Sequence, residues 1–248
     1  MPQTYFQRLL LFFVIRRAKR ILSAFIEDTK RPAEAQERIL LEKIRRNEYS
    51  QFGRDHGFSE IRSLADFRKN VEISDYQHFQ HYIDRVRDGD KGALFGPGEK
   101  LIMFSMTSGT TGAPKYIPVT KSFLREYQGS SLIWAAFAYL DHKDFIEEKI
   151  LPVVSSMRES YTRHGVPCGA MSGLHAQSQH YLGRSLYAVP SCVFDITDAE
   201  AKYYALMRLA SEQSVGYISS PNPSTVITIA RILDNHKALV IRDVYSIV

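Results

Sequence analysis

Lys100-Leu101-Ile102-Met103-Phe104-Ser105-Met106, followed at once by Thr107-Ser108-Gly109-Thr110-Thr111-Gly112-Ala113-Pro114-Lys115, is the stretch that decides how the chain is read. The first seven residues form an apolar run of strand length. The next nine place four hydroxyls, two glycines and a lysine directly after it. Glycines let a backbone curl until its N–H groups converge on an anion, hydroxyls add donors, and an ammonium offsets phosphate charge. A Ser/Thr/Gly-rich turn would explain the glycines, but not four hydroxyls and a lysine in register after an apolar strand. The Walker loop needs a glycine five residues after Gly109, where Pro114 stands, and the dinucleotide fingerprint fails as well, because no glycine lies two residues before Gly112. The composition therefore specifies a polyanion site of another type.

Outward from this loop, helical and strand-like patterns alternate. Upstream, residues 33–47 carry Ile39, Leu40, Leu41 and Ile44 on one stripe behind Pro32. Residues 52–58 read as a glycine-punctuated loop, Ser63 to Lys69 as a short helix, and Asp75 to Val86 as another, before a turn-rich stretch over 88–99. Downstream, Thr120 is placed to cap a helix reaching Leu140, and Lys149 to Val154 reads as a strand. Residues 155–190 are the longest irregular stretch, a composition shared by binding loops and disordered segments. Thr197-Asp198-Ala199-Glu200 reads as a capping box opening a helix to Gln213, followed by a strand over 215–218 and a helix starting at Asn222-Pro223. Such alternation predicts an α/β fold in which sheet and helices form layers.

The formal net charge of +5 is unevenly placed: residues 1–46 hold eleven Lys and Arg against five Asp and Glu, a net of +6, so the rest sits near −1. A near-neutral body argues against a nucleic-acid partner, which would need basic residues spread along a face. Segment 1–46 thus separates as a basic helical piece from 47–248. Within it, Leu9 to Ile15 are seven consecutive apolar residues followed by Arg16, Arg17, Lys19 and Arg20. Seven residues are too few to span a bilayer, and the order of charge and apolar run is not that of a secretory signal. A helix packed on its own domain is the expected role, with contact between residues 1–30 and a membrane surface as the alternative. Two cysteines, Cys168 and Cys192, give neither a disulfide framework nor a zinc spacing, which fits a reducing, cytoplasmic setting. The pairs His78/His81 and His175/His180 lack the further ligands of a metal site, so no metal is assigned to protein side chains.

The stretch Thr107 to Pro118 closely resembles the ATP-phosphate loop of the adenylate-forming superfamily of acyl-CoA synthetases, luciferases and nonribosomal-peptide adenylation domains. Gln51-Phe52-Gly53, the Tyr76 to Arg87 helix, Gly165-Val166-Pro167 to Gly173, and Ser220-Pro221-Asn222-Pro223-Ser224-Thr225 are similar to segments of the Gretchen Hagen, or auxin-responsive, acyl-acid amido synthetases known from plant auxin and jasmonate conjugation. The resemblance runs from about residue 35 to the end. It implies the layered N-terminal domain of an adenylate-forming ligase that uses ATP and Mg2+ to activate a small carboxylic acid and then passes the acyl group to an amino acid. It also implies that Thr107, Ser108, Thr110, Thr111 and Lys115 hold the nucleotide phosphates while Gly109 and Gly112 supply the bend. By family position, Tyr127 and Trp134 line the acyl pocket. Core packing is the competing reading for Trp134, and the one its residue type favours.

The family's later signatures, a Tyr-Gly-x-Ser-Glu-like segment, an aspartate-bearing motif and a C-terminal domain with a lysine, are not found here. The resemblance therefore implies a truncated protein, roughly the N-terminal half, that does not form acyl adenylate by itself. The apolar run from Val240 to Val248 is expected to be buried in a sheet or helix interface. A non-catalytic relative that binds nucleotide or a partner, and a membrane-surface protein, remain open beside the ligase.

Overall fold

A computed structural model describes residues 5–107, 114–142, 148–179 and 181–246. The chain divides into two compact units, one built from residues 1–102 and 118–141 and the other from 103–117 and 142–248. The basic segment 1–46 corresponds to two helices of the first unit, α1 (Tyr5–Lys30) and α2 (Pro32–Arg46).

In the first unit, Ile44 of α2 is buried against Phe58 and Ile61, with Leu40, Leu41, Phe52, Phe67 and Val71 packed around them. Leu40, Leu41 and Ile44 thus keep the stripe that the sequence placed on one face, while Ile39, placed with them, is exposed because it lies one position off the side that packs. Three further helices follow: α3 (Gln51–Asp55), α4 (Leu64–Asn70) and α5 (Tyr76–Arg87). Ser63 and Asp75, the first residues of the two stretches read as helices, cap the second and third through their side chains. The glycine-punctuated loop over 52–58 is instead partly helical. Fully buried Ser50 accepts a hydrogen bond from Gly53 N at 2.9 Å and donates one to the Asn47 carbonyl at 2.7 Å, and this cap closes a turn that composition alone reads as irregular. Thr120 accepts from Phe123 N at 3.2 Å at the start of α6 (Lys121–Asp141). α6 packs on α1, and Glu126 of α6 takes hydrogen bonds from Lys43 and Arg46 of α2.

In the second unit, two parallel pairs organise the sheets. Strand β1 (Leu101–Thr107) lies between β2 (Lys115–Thr120) and β5 (Pro167–Gly169), with β4 (Ser160–Tyr161) outside β5, in the order β2-β1-β5-β4. β1 runs parallel to β5, pairing Phe104 with Cys168 and Ser105 with Gly169. β3 (Lys149–Pro152) pairs in parallel with β6 (Val215–Ser219). The core gathers Leu151 of β3, Val153 just after it, Val193 and Phe194 of the 3-10 turn Ser191–Asp195, Leu206 of α9 (Ala199–Ala210) and Ile229 of α10 (Pro223–Asn235). α11 (Lys237–Tyr245) completes the layer, where buried Arg208 of α9 donates to the Asp243 carbonyl and to Glu212 at 2.8 Å. The cap of α9 is Asp198, accepting from Ala201 N at 2.7 Å, one residue after the Thr197 that the capping-box pattern indicated. The C-terminal apolar run divides: Val240 is buried, while Ile241 and Tyr245 are exposed.

The stretch 155–190 is not a single open loop. It contains β4, β5, α7 (Met171–Gln177) and α8 (Tyr181–Arg184), all short. Among the described residues no helix is long and apolar enough to cross a membrane.

Candidate nucleotide-phosphate site

The site is built on β1. Met103 and Phe104 are fully buried, which fixes the strand, while Thr107 at its carboxyl end is exposed. Fixing a loop to the carboxyl end of a strand that has a parallel neighbour follows the rule for ligand sites in α/β sheets. Ser108, Gly109, Thr110, Thr111 and Gly112 lie outside the described residues. The chain is described again from Pro114, and Lys115, half-buried, opens β2. The Phe104 and Tyr116 rings meet edge to face at 6.3 Å and brace the two strands that flank the loop. Thr107 and Lys115 thus both belong to the second unit, at the two ends of the nine-residue motif.

Beside β1, a polar network occupies the stretch that the sequence left irregular. Ser160 Oγ donates to Met106 Sδ at 3.6 Å, next to Thr107. The preceding segment, Ser155 to Met157, passes so close to β5 and α7 that a Cβ on Gly169 would lie 2.6 Å from the Met157 carbonyl carbon, and one on Gly173 2.6 Å from Met157 N. Ala170 N donates to the Ser156 carbonyl at 2.8 Å, and Ser156 Oγ donates to Asp195 at 2.8 Å. Gln177 Nε2 donates to the same carboxylate at 3.2 Å, and Arg158 donates to Gln177 Oε1 at 2.8 Å. Lys202 lies near these groups: burial pushes its ammonium pKa down, and the charges of Glu159 and Asp195 push it back up in part. Composition marked this region as irregular, but no local pattern links Ser156 to an aspartate 39 residues away.

Tyr127 and Trp134 are on α6 of the first unit, seven residues apart and therefore on one face of that helix. Trp134 is 58% exposed and Tyr127 38%, so the core-packing reading of Trp134 is not what the structure shows. Tyr127 stacks at a tilt on Phe123, ring centroids 6.3 Å apart. Among the described residues no group of three or more His, Cys, Asp or Glu side chains converges as metal ligands.

The fold is a mixed α/β chain with the Thr107–Lys115 motif following strand β1, and comparison with known proteins gives the family. Residues 21–247 match the GH3 family N-terminal domain, and the chain belongs to the GH3 family. It is 27% identical over 226 residues to indole-3-acetic acid-amido synthetase GH3.15 of Arabidopsis thaliana, covering 88% of this chain and 38% of that one. It is 23% identical over 177 residues to jasmonoyl–L-amino acid synthetase JAR6 of Nicotiana attenuata, covering 70% of this chain and 30% of that one. The fold matches the structure of AtGH3.15 acyl acid amido synthetase in complex with 2,4-DB with a TM-score of 0.76 at 23% identity, over 90% of this chain and 39% of that one. A second GH3.15 structure matches with a TM-score of 0.71 at 21% identity, over 97% of this chain and 40% of the other. The chain thus spans well under half the length of these relatives.

Proposed function

We propose that this chain is the phosphate-binding portion of an ATP-dependent acyl-acid amido synthetase, which adenylates a small carboxylic acid and then transfers the acyl group to an amino acid. The observation that carries the proposal is the Thr107–Lys115 motif, held at the carboxyl end of a buried strand in a chain of the GH3 family. The hydroxyls of Thr107, Ser108, Thr110 and Thr111 and the loop N–H groups would hold the β- and γ-phosphates of ATP, with the Lys115 ammonium balancing their charge. Charge builds on pyrophosphate as it leaves, so donors fixed there act chiefly on the transition state. Mg2+ would accompany the nucleotide and offset part of its phosphate charge. Tyr127 and Trp134, exposed on one side of α6, are the proposed acyl-pocket residues.

The test is carboxylate-dependent exchange of labelled pyrophosphate into ATP, in the protein that also carries the remainder of the family's length. Ser108→Ala/Thr110→Ala is expected to reduce exchange by at least about tenfold. Unchanged exchange in the double variant would sink the phosphate-loop assignment. Nucleotide binding without acid-dependent exchange would favour a nucleotide-binding relative over a ligase.

A further inference from the structure

We infer that Asp195 is a positioning residue for the carboxyl end of β1 and, through it, for the phosphate loop proposed above, a reading on which the inference rests. All the groups involved lie in the second unit. On one side β1 is held by β5, a strand of three residues that pairs with it at two positions, Phe104 with Cys168 and Ser105 with Gly169. Thr107 follows two residues after Ser105. A ladder this short fixes little by itself, so the place of β5 decides the place of the end of β1. β5 in turn is clamped by residues 155–160. Glu159 N donates to the Cys168 carbonyl at 2.9 Å, and Ala170 N donates to the Ser156 carbonyl at 2.8 Å. Between these two bonds the backbones touch, because Gly169 has no Cβ to keep Met157 away, and Gly173 of α7 meets the same segment as closely. Close-packed atoms leave no slack, so a displacement of 155–157 passes directly to β5.

Residues 155–159 belong to no helix or strand, so side chains set their place. Ser156 Oγ donates to Asp195 at 2.8 Å and accepts from Arg158 N at 3.0 Å. Gln177 Nε2 reaches both carboxylate oxygens of Asp195, at 3.2 and 3.3 Å, and Gln177 Oε1 accepts from Arg158 at 2.8 Å. The Arg158 guanidinium stands 3.7 Å from the same carboxylate. The four side chains close a ring in which Asp195 is the acceptor that Ser156 and Gln177 share. Its members come from the segment itself, from α7 and from the 3-10 turn Ser191–Asp195, so the ring ties the segment to two other elements. Further along the same segment, Ser160 Oγ donates to Met106 Sδ at 3.6 Å, beside Thr107. Arg158 and Asp195 are both about half exposed, and exposed pairs contribute little to global stability. The consequence of the ring is therefore local, where β1 ends.

The test uses the whole chain, unaltered and as Asp195→Ala, Ser156→Ala and Asp195→Asn. Backbone amide exchange is followed by mass spectrometry, and binding of inorganic pyrophosphate with Mg2+ by calorimetry. We expect each alanine variant to speed exchange over residues 103–107 by at least about tenfold and to weaken pyrophosphate binding by at least about fivefold. The melting midpoint should fall by no more than about 4 °C, because the ring is half exposed. A side chain that only stabilised its own surroundings would loosen 155–160 and leave β1 and the ligand unchanged. Asp195→Asn keeps an oxygen to accept from Ser156 and should recover most of the binding. Should Asp195→Ala fold poorly, Ser156→Ala, which deletes a single hydroxyl, decides alone. Unchanged exchange over 103–107, unchanged pyrophosphate affinity in a folded alanine variant, or Asp195→Asn as impaired as Asp195→Ala overturns the inference and leaves the phosphate-loop reading standing. Absence of pyrophosphate binding by the unaltered protein overturns that reading, and the inference with it.

Discussion

Gly173 and Gly129 show how much one residue can depend on its surroundings. A Cβ on Gly173 would overlap the Ser155 carbonyl oxygen, backbone that cannot rotate away, whereas one on Gly129 of α6 meets nothing within 4 Å. Gly173→Ala is therefore expected to destabilise the protein by about 1–3 kcal/mol, as overpacking does, lowering the melting midpoint by several degrees. Gly129→Ala should stabilise by up to about 1 kcal/mol through helix propensity. Thermal melts of the two variants check both signs, and a neutral Gly173→Ala would show that the backbone crossing can relax. At this scale the phosphate-loop proposal rests on the sequence, because its donors and glycines are consecutive. The Ser156, Gln177 and Asp195 network was not legible there, since its members come from distant positions joined only by the fold. Trp134 misled for a related reason: large aromatic side chains favour burial on average, and its exposed place on α6 is set by how that helix packs.

Among elements, helices that announce themselves through a cap were read correctly. Ser63, Asp75, Thr120 and Asn222 each accept from a backbone N–H of the first helical turn, a local interaction that needs no tertiary partner. β2 was missed because Pro118 lies within it, which argues against an interior strand; the sheet order places β2 at an edge, where a missing N–H is tolerated. β4, β5 and α7 escaped because two or three strand residues, or two turns, are too short for periodicity to register. The contact between α2 and α6 yields a pH prediction. Burial raises the Glu126 pKa, but hydrogen bonds from Lys43 and Arg46 and their charges outweigh it, leaving the carboxyl below its ordinary value. A depressed folded-state pKa gives stability that is complete above the unfolded value of about 4.3 and is lost as pH falls through the folded value. Glu126→Gln should accordingly flatten the acid side of the stability profile between about pH 5 and 3, by no more than about 1 kcal/mol because the pair is partly exposed. Urea melts across that range measure it, and superimposable profiles for the two proteins would remove the ion pair from the account of acid sensitivity.

For the molecule as a whole, alternation of helix and strand was enough to give the α/β class, but not the division into units. The chain leaves the first unit at residue 102 and returns to it at 118, and a reading that proceeds along the sequence marks boundaries by shifts in composition, which this excursion lacks. The excursion contains the proposed phosphate loop, so ligand binding there should register in the stability of the folded chain. A ligand that binds only the folded state adds RT ln(1 + [L]/Kd), about 2.7 kcal/mol at a hundredfold excess over Kd, and in a chain of this size that raises the melting midpoint by about 5–10 °C. ATP with Mg2+ is expected to give such a shift, and Lys115→Met to reduce it while leaving the ligand-free midpoint nearly unchanged, because a partly exposed charge contributes little to folding. Inorganic pyrophosphate should retain part of the effect, since the proposed donors face the β- and γ-phosphates and not the base. Melting curves recorded with increasing ATP, pyrophosphate and adenosine distinguish the cases. A shift with adenosine equal to that with ATP would place recognition away from the phosphates, and a full ATP shift in Lys115→Met would assign that lysine to the structure of β2 instead of to the ligand.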